Sequence, residues 1–288
     1  MNIVYFISAY KLPNQLIRLV KRLQSPNVYI LIHLDKKMNP AWVKTVKLGI
    51  ANLPNVELIH RYYCAWGDFG LVKATNEAIQ KIFRDQIPCD YFIPLSGQHY
   101  PIKSHSQLVH FLSCHNGKSF MPIYELPKEN WFEGGMDRIE RWHISIPWSN
   151  LDLNNRRKYL IIKKFLDCLI PKRKFPKGFR PFGSDTWCIF HKDALVYIKD
   201  FLDNKPAFIQ FFKYVKIPDE IFYATILMNS EKKHPIEDKL LTFRDWTIEL
   251  LTTKDFELLV NRSEFFARRF NIEIDSNILD LLDSFIDS

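Results

Sequence analysis

Short apolar segments alternate with segments of helical periodicity over the first 125 residues of the chain. The apolar segments are typical of buried strands, and they occupy residues 3–9, 28–35, 56–60 and 90–98. Between them, apolar side chains recur every three or four residues, which predicts helices over residues 14–23, 40–50 and 71–83. Strands that are apolar throughout and alternate with helices predict an α/β fold, with a mostly parallel sheet flanked by helices.

Polar side chains follow three of these strands, at residues 8–11, 35–37 and 96–99. In open α/β sheets, ligands bind beyond the carboxyl ends of the strands. The neighbouring loop at residues 61–70 adds aromatic rings that can stack on a base. Polar residues follow most strands simply because the chain turns there, but three such ends together favour a nucleotide-type site.

The middle of the chain, residues 126–182, is basic and aromatic, and the α/β pattern resumes after it. Within it, residues 156–180 alternate cationic with apolar side chains. One hypothesis is an amphipathic helix resting on an anionic membrane; the alternative is a basic helix packed on its own protein. Residues 263–286 are predicted to form a helical tail. We therefore expect a single domain over 1–288, with halves of about 1–125 and 183–288 separated by a basic insertion.

The formal net charge of +8 suits an anionic ligand, an anionic membrane or nucleic acid. No motif of a known nucleic-acid module is present, so we expect no nucleic-acid partner. The sequence also has no GxGxxG, GxxxxGK[ST] or GxSxG motif, which argues against the usual dinucleotide, P-loop and serine-hydrolase sites. Five cysteines without CxxC spacing indicate reduced thiols and no zinc site. With no signal peptide or long apolar run, they predict a cytoplasmic protein.

Two adjacent acids, Asp219 and Glu220, follow Pro218 and precede an apolar run. Acids in the first turn of a helix complement the positive end of its dipole, which is a sufficient structural reason for them. A carboxylate pair beside a ligand site can instead act on a substrate hydroxyl as a general base.

Seven segments of the chain, in order, resemble glycosyltransferase family fourteen in a bacterial form. This family contains the core-2/I-branching β-1,6-N-acetylglucosaminyltransferases and the peptide O-xylosyltransferases. The segments are ISAYK (7–11), IHLDKK (32–37), AWGDFGLVKAT (65–75), DYFIPLSGQHYPIKS (90–104), GSDTW (183–187), PDEIFYATIL (218–227) and FFARRFNIEID (265–275).

The resemblance implies a GT-A fold and an inverting enzyme that uses a UDP-sugar and needs neither a metal nor another cofactor. The acid of the Pro-Asp-Glu motif, Glu220 here, is implied as the general base. Two basic residues, Arg269 and Arg244, are implied to take the place of the metal at the diphosphate. The implied nucleotide pocket is formed by Ser8, Tyr10, Asp35 and Tyr63. The implied acceptor- or sugar-binding residues are Asp219, Trp187, Gln98 and His99.

Two positions depart from the family pattern. His99 stands where an acid is usual, and Thr186 stands where a second Trp is usual. The resemblance implies transfer of N-acetylglucosamine in β-1,6 linkage; xylose or another sugar, and a non-catalytic binding protein, are the alternatives. The expected acceptor is a glycan or a lipid-linked oligosaccharide of the cell surface. We expect a cytoplasmic protein, peripheral at the inner face of the membrane through residues 156–180.

Overall fold

A five-stranded sheet forms the centre of the fold. The computed structural model of the chain describes residues 1–143 and 170–288. The strands are β1 Ile3–Ala9, β2 Val28–Leu34, β3 Val56–Leu58, β4 Tyr91–Ser96, β5 His99–Pro101, β6 Ser119–Phe120, β7 Tyr124–Glu125, β8 Phe182–Gly183, β9 Phe190–His191, β10 Ile236–Glu237, β11 Thr242–Phe243 and β12 Phe266–Arg268.

Helices cover both faces of this sheet. They are α1 Pro13–Leu23, α2 Pro40–Ile50, α3 Gly70–Arg84, α4 His105–Cys114, α5 Met136–Glu140, α6 Lys192–Asn204, α7 Pro206–Phe212, α8 Phe222–Met228, α9 Phe256–Val260 and α10 Asn277–Asp287. Short 3₁₀ helices occupy Phe132–Gly135, Pro218–Glu220 and Thr253–Asp255. The early strands and helices lie within about two residues of their predicted positions.

The strand order of the central sheet is β3-β2-β1-β4-β9. Strands β1, β2, β3 and β4 run parallel, and β9 pairs with β4 antiparallel. The predicted α/β class with a mostly parallel sheet is therefore confirmed. Because Ser8 of β1 lies opposite both His33 of β2 and Ser96 of β4, three strands end at the same edge.

Alternate residues of β1 face opposite sides of the sheet, as the two-residue period of a strand requires. Ile3, Tyr5 and Ile7 are buried against helices α1, α2 and α10. Val4 and Phe6 are buried on the other side, against helices α3, α6 and α8. Burial on both faces explains why this strand is apolar throughout.

A smaller sheet of order β11-β12-β5 lies beside the carboxyl edge of the central one. Strand β12 runs antiparallel to β5, with Arg268 opposite His99. The predicted helical tail over 263–286 is wrong in its first half, because Phe266 and Phe270 are buried in the core and the chain between them is extended. Helix α10 forms only from Asn277.

The basic insertion lies partly outside the described residues. The prediction of an amphipathic helix over 156–180 falls outside them for residues 156–169. Residues 170–180 contain no helix, and Pro171 and Pro176 lie within them. Strands β7 and β8 lie at the two ends of the insertion and pair as an antiparallel ribbon. None of the helices in the described parts of the chain is long and apolar enough to cross a bilayer.

Candidate active site

A cavity of about 720 Å³ opens at the carboxyl edge of β1, β2 and β4. Its walls also include the loop after β8, the 3₁₀ turn before α8, and the residues that follow β11 and β12. This is the position that the polar strand ends predict, and the size falls within the range of small-molecule sites, roughly 300–1,000 Å³.

The hydroxyl of Ser8 is held by a buried histidine. Oγ of Ser8 lies 3.1 Å from Nδ1 of His33, and the amide of Tyr62 donates to Nε2 of His33 at 3.0 Å. Because Nε2 accepts, the neutral ring carries its proton on Nδ1 and donates it to Ser8. Burial lowers the pKa of His33 to about 4, so the ring is neutral at physiological pH. The hydroxyl proton of Ser8 therefore remains available to a ligand.

Asp35 lies in the cavity wall next to the aromatic loop. One carboxylate oxygen accepts from the amide of Lys37 at 2.9 Å, and the other accepts from the amide of Cys64 at 3.3 Å. The ammonium of Lys37 lies 5.0 Å from the ring centre of Tyr10 and 5.8 Å from that of Tyr63. Tyr10 lines the cavity, whereas Tyr63 lies outside the cavity wall. The structure therefore brings three of the four predicted nucleotide contacts together.

The turn after β4 approaches β1 closely. A Cβ atom on Gly97 would lie 2.9 Å from the Cβ of Ala9, so only glycine fits there without displacement. The side chain of Gln98 lines the cavity and donates to the carbonyl of Phe270 at 3.3 Å. The fully buried Gln15 also donates to the carbonyls of Gly97 and Phe270, at 2.9 and 3.2 Å. These contacts fix the chain after β12 against the turn that follows β4.

His99, a predicted ligand contact, does not reach the cavity. The ring is fully buried, and its Nδ1 accepts from the amide of Ser96 at 2.9 Å. Burial and the charge of Arg268 hold its pKa well below the ordinary value, so it is neutral. Its ring centre lies 4.6 Å from that of Trp187, and the guanidinium of Arg268 lies 4.7 Å from the same indole. His99 therefore supports Trp187 and Arg268 from behind.

Three arginines, Arg244, Arg268 and Arg269, converge on the cavity. Burial and the neighbouring guanidinium groups lower the pKa of Arg268 to about 10 and also lower the pKa of Arg244. Within the described residues, no carboxylate lies at ion-pair distance from any of the three. An acid at position 99, as in the family pattern, would lie opposite Arg268 across the β5–β12 pair; His99 leaves that charge unpaired. Such a cluster is stabilised by a bound anion.

The carboxylate pair lies on the far wall of the same cavity. The hydroxyl of Thr186 donates to Asp219 at 2.7 Å. Shielding from water and the nearby charge of Glu220 raise the pKa of Asp219 to about 6, although the bond from Thr186 opposes that rise. Arg138 donates to Glu220 at 2.6 Å, and the carbonyl of Glu220 accepts from the amide of Ser184 at 2.7 Å. Glu220 is thus fixed by its side chain and by its backbone.

Arg268 and Arg138 line the cavity and were not among the sequence-based candidates. Arg268 directly precedes Arg269 in the ARRFN segment, and its neighbour gave the only signal for it. Arg138 lies 82 residues from Glu220 along the chain, and nothing in the sequence links the two. In the described parts of the chain, no group of three or more His, Cys, Asp or Glu side chains has a metal-binding arrangement.

Xylosyltransferases are among the known proteins that this chain is similar to. Xylosyltransferase 2 of Mus musculus is 25% identical over 296 residues, which cover 93% of this chain and 32% of that protein. Xylosyltransferase 1 of Rattus norvegicus is 23% identical over 301 residues, which cover 94% of this chain and 34% of that protein. The chain therefore spans about a third of the length of these relatives.

Among solved structures, mouse xyloside xylosyltransferase 1 aligns with 92% of this chain and 97% of that one, at 9% identity and a TM-score of 0.37. The assignment depends instead on the sequence profile of the Core-2/I-Branching enzyme family, which matches residues 3–268. That range includes both carboxylates, Arg244 and Arg268, and it ends directly before Arg269. Because the match extends over nearly all of its 288 residues, the chain belongs to the Core-2/I-Branching enzyme family.

Proposed function

We propose that the chain is an inverting glycosyltransferase that moves a sugar from a UDP-sugar to a hydroxyl of a glycan. The observation that carries the proposal is the position of the arginine cluster. Arg244, Arg268 and Arg269 line the same cavity as the nucleotide strand ends and the Asp219–Glu220 pair. Membership of the family supports the same reaction class.

In the proposed complex, the nucleoside lies at the ends of β1 and β2. The hydroxyl of Ser8 donates to it, since His33 already supplies the proton that Oγ accepts. Asp35 offers a carboxylate held by two backbone amides. The diphosphate lies against the three arginines, where two-point hydrogen bonds from guanidinium groups match phosphate oxygens.

The proposed chemical step is a single displacement. The acceptor hydroxyl gives its proton to Glu220, its oxygen forms the bond to the anomeric carbon, and the bond from that carbon to the UDP oxygen breaks. The leaving UDP takes the electron pair, and the arginines stabilise the added charge. Attack from the face opposite UDP inverts the anomeric centre. Asp219, which accepts a hydrogen bond from Thr186, positions the acceptor beside Glu220.

We propose that this reaction needs no metal ion or other cofactor. Strand β4 continues into Ser-Gly-Gln instead of the Asp-x-Asp that holds a metal in many sugar transferases. The three guanidinium groups supply positive charge in the same cavity. Arg268 is charged at neutral pH because its lowered pKa is still about 10.

The proposed donor is UDP-N-acetylglucosamine, with β-1,6 transfer, and UDP-xylose is the alternative. The family description favours branching transfer, whereas the names of the two relatives favour xylose. A panel of UDP-sugars tests both. Turnover to a glycan acceptor, or UDP release, identifies the donor, and a ligand at a hundred times its Kd adds about 2.7 kcal/mol of stability. Stabilisation by UDP-sugars without any turnover would favour the non-catalytic alternative.

The proposed acceptor is a glycan or lipid-linked oligosaccharide, reached from the cytoplasmic side of a membrane. Support comes from the basic composition of 156–180, of which the described residues include the exposed Lys172 and Arg180. Co-sedimentation with anionic and neutral vesicles tests the membrane contact. Equal recovery with anionic and neutral vesicles would rule out the membrane contact. It would not affect the proposed transfer reaction.

A further inference from the structure

Two further cations, Lys128 and Arg138, line the cavity around Trp131, and Arg138 contacts the proposed base Glu220. The guanidinium of Arg138 is 3.9 Å from the ring centre of Trp131, and the ammonium of Lys128 is 5.5 Å from the same ring. The ammonium is also 3.2 Å from the ring centre of Tyr124. Both cations therefore lie near the Trp131 ring, and Arg138 is in addition paired with Glu220.

The ion pair with Glu220 accounts for only one of these charges. Arg138 uses one of its five N–H groups on Glu220, and the described residues offer no other side-chain acceptor to it. Lys128 has no carboxylate at ion-pair distance in the described parts of the chain, and it does not contact Glu220. Lys128 therefore contributes a positive charge that no carboxylate of the described residues pairs with, and Arg138 keeps N–H groups that no described side chain accepts from.

We propose that Lys128 and Arg138 bind an anionic group carried by the acceptor glycan, close to the hydroxyl that receives the sugar. The group is a carboxylate, phosphate or sulfate on the reacting sugar or on its neighbour. One edge of the Arg138 guanidinium holds Glu220, and the other edge holds the anion. This inference rests on the proposed function and adds the substrate class to it.

In this arrangement the bound anion fixes the position of the acceptor sugar relative to Glu220. Because Arg138 touches both Glu220 and the bound anion, the distance from the anion to the base is set by one rigid planar group. A hydroxyl on the same or the adjacent ring is thereby presented to Glu220, whereas more distant hydroxyls are not. This anion cradle, formed by Lys128 and Arg138, would therefore select both the acceptor and the position of linkage.

The test compares matched pairs of saccharides as ligands of the full chain saturated with UDP. The pairs are methyl glucuronide with methyl glucoside, glucose 6-phosphate with glucose, and glucose 6-sulfate with glucose, each measured by saturation-transfer NMR. We expect the acidic member of at least one pair to bind roughly ten- to a hundredfold more tightly, as charge-assisted hydrogen bonds predict. The pair with the largest ratio identifies the anion.

Lys128→Gln is the informative variant, because Arg138→Gln also disturbs Glu220. It should abolish the preference for the acidic saccharide without changing UDP affinity or the binding of the neutral member. Lys128→Arg should keep the preference. Lys47→Gln removes the same charge from the exposed face of α2 and should change nothing.

Several outcomes would overturn the inference. Equal binding of acidic and neutral members in every pair would do so, as would tighter binding of an acidic peptide than of any acidic saccharide. A loss of UDP affinity in Lys128→Gln would assign the cradle to the donor instead. UDP binding and UDP-sugar turnover by the unaltered chain are measured separately, so failure of the cradle is distinguishable from failure of the proposed function.

Discussion

The imidazole of His33 donates a hydrogen bond to the hydroxyl of Ser8, with 3.1 Å between Nδ1 and Oγ. The direction of this bond follows from the amide of Tyr62, which occupies the other ring nitrogen. A serine hydroxyl that already accepts in this way directs its own proton elsewhere, and the cavity lies on that side. A buried strand histidine is thus connected to the nucleotide end of the site through Ser8.

The first prediction is an energetic coupling between these two residues in UDP binding. His33→Leu should weaken UDP binding roughly two- to tenfold, because a hydrogen bond of about 0.5–1.5 kcal/mol no longer orients Ser8. In a Ser8→Ala background the same change should have no further effect on UDP affinity. Calorimetric titration of the four proteins gives the coupling directly.

His33→Asn is the control for this cycle, since its side-chain amide can replace Nδ1 as the donor to Ser8. It should restore most of the UDP affinity. A purely structural role for His33 would instead lower the melting temperature while leaving the two substitutions additive in UDP binding.

The second prediction concerns Arg268, which sequence reasoning passed over. Arg268→Gln should lower turnover by roughly 10²–10³, the effect expected when a donor to a developing negative charge is removed. Arg180→Gln removes a guanidinium that is 72% exposed and paired with Glu125, and turnover should not change. Steady-state kinetics on both variants provides the comparison. Near-normal turnover of Arg268→Gln would confine the leaving-group role to Arg244 and Arg269.

Elements whose cause is local could be predicted from the sequence, and elements whose cause is distant could not. The buried strands and the three early helices depend on the order of apolar side chains within one segment. Strand β12 depends instead on pairing with β11 and β5, so its aromatic residues gave a helical pattern that the tertiary structure overrides. For the same reason Arg138 could not be predicted as a site residue, because its partner Glu220 is distant in sequence.

The residues of the candidate site also separate into those with a local cause, which could be predicted, and those with a distant cause, which could not. Strand ends converge by the rule of parallel sheets, so Ser8 and Asp35 could be placed together. Whether a side chain faces the cavity depends on packing, which the sequence does not display. The ring of His99 is buried against that of Trp187, and Tyr63 lies outside the cavity wall; both positions depend on residues distant in sequence.

The third prediction is that transferase activity survives removal of divalent metal. The positive charge at the proposed diphosphate site comes from arginine side chains, so treatment with EDTA should leave turnover within about twofold of the untreated value. Activity is measured before and after EDTA, and again after adding manganese. Complete loss in EDTA with recovery in manganese would show that a metal is required.

The fourth prediction is an ionisation near pH 6 that belongs to Asp219. Its pKa is raised to about 6 by shielding from water and by the charges of Glu220 and Asp185. Above that pH the carboxylate of Asp219 is charged, which strengthens the hydrogen bond that it accepts from Thr186 and its hold on the acceptor. Turnover should therefore rise as the pH increases through about 6 and then level off. Asp219→Asn keeps an acceptor for Thr186, and its profile should lack this step.

The same ionisation of Asp219 should also affect stability, in the opposite direction to turnover: the free energy of unfolding should fall as the pH rises. A carboxyl whose pKa is higher in the folded state than in the unfolded state stabilises the fold at low pH, and this contribution is lost as the pH rises through about 6. Asp219→Asn should therefore be more stable than the parent protein at pH 7.5, and the difference should disappear near pH 4. Urea titrations at the two pH values measure it. A step near pH 6 that persists in the Asn variant would assign the ionisation to another group.

The last prediction concerns Glu220 as the base. A glutamine at this position keeps the size of the side chain and can still bond to Arg138, but it cannot take a proton from the acceptor. Turnover of Glu220→Gln should fall roughly 10²–10⁴-fold, the usual contribution of a positioned general base, while UDP affinity stays nearly unchanged. Asp219→Asn should cost less because it retains the bond from Thr186. Single-turnover kinetics with a saturating donor separates the chemical step from binding. If Glu220→Gln keeps most of its activity, the two acids serve only to begin the turn before α8, and the base must be sought elsewhere in the cavity wall.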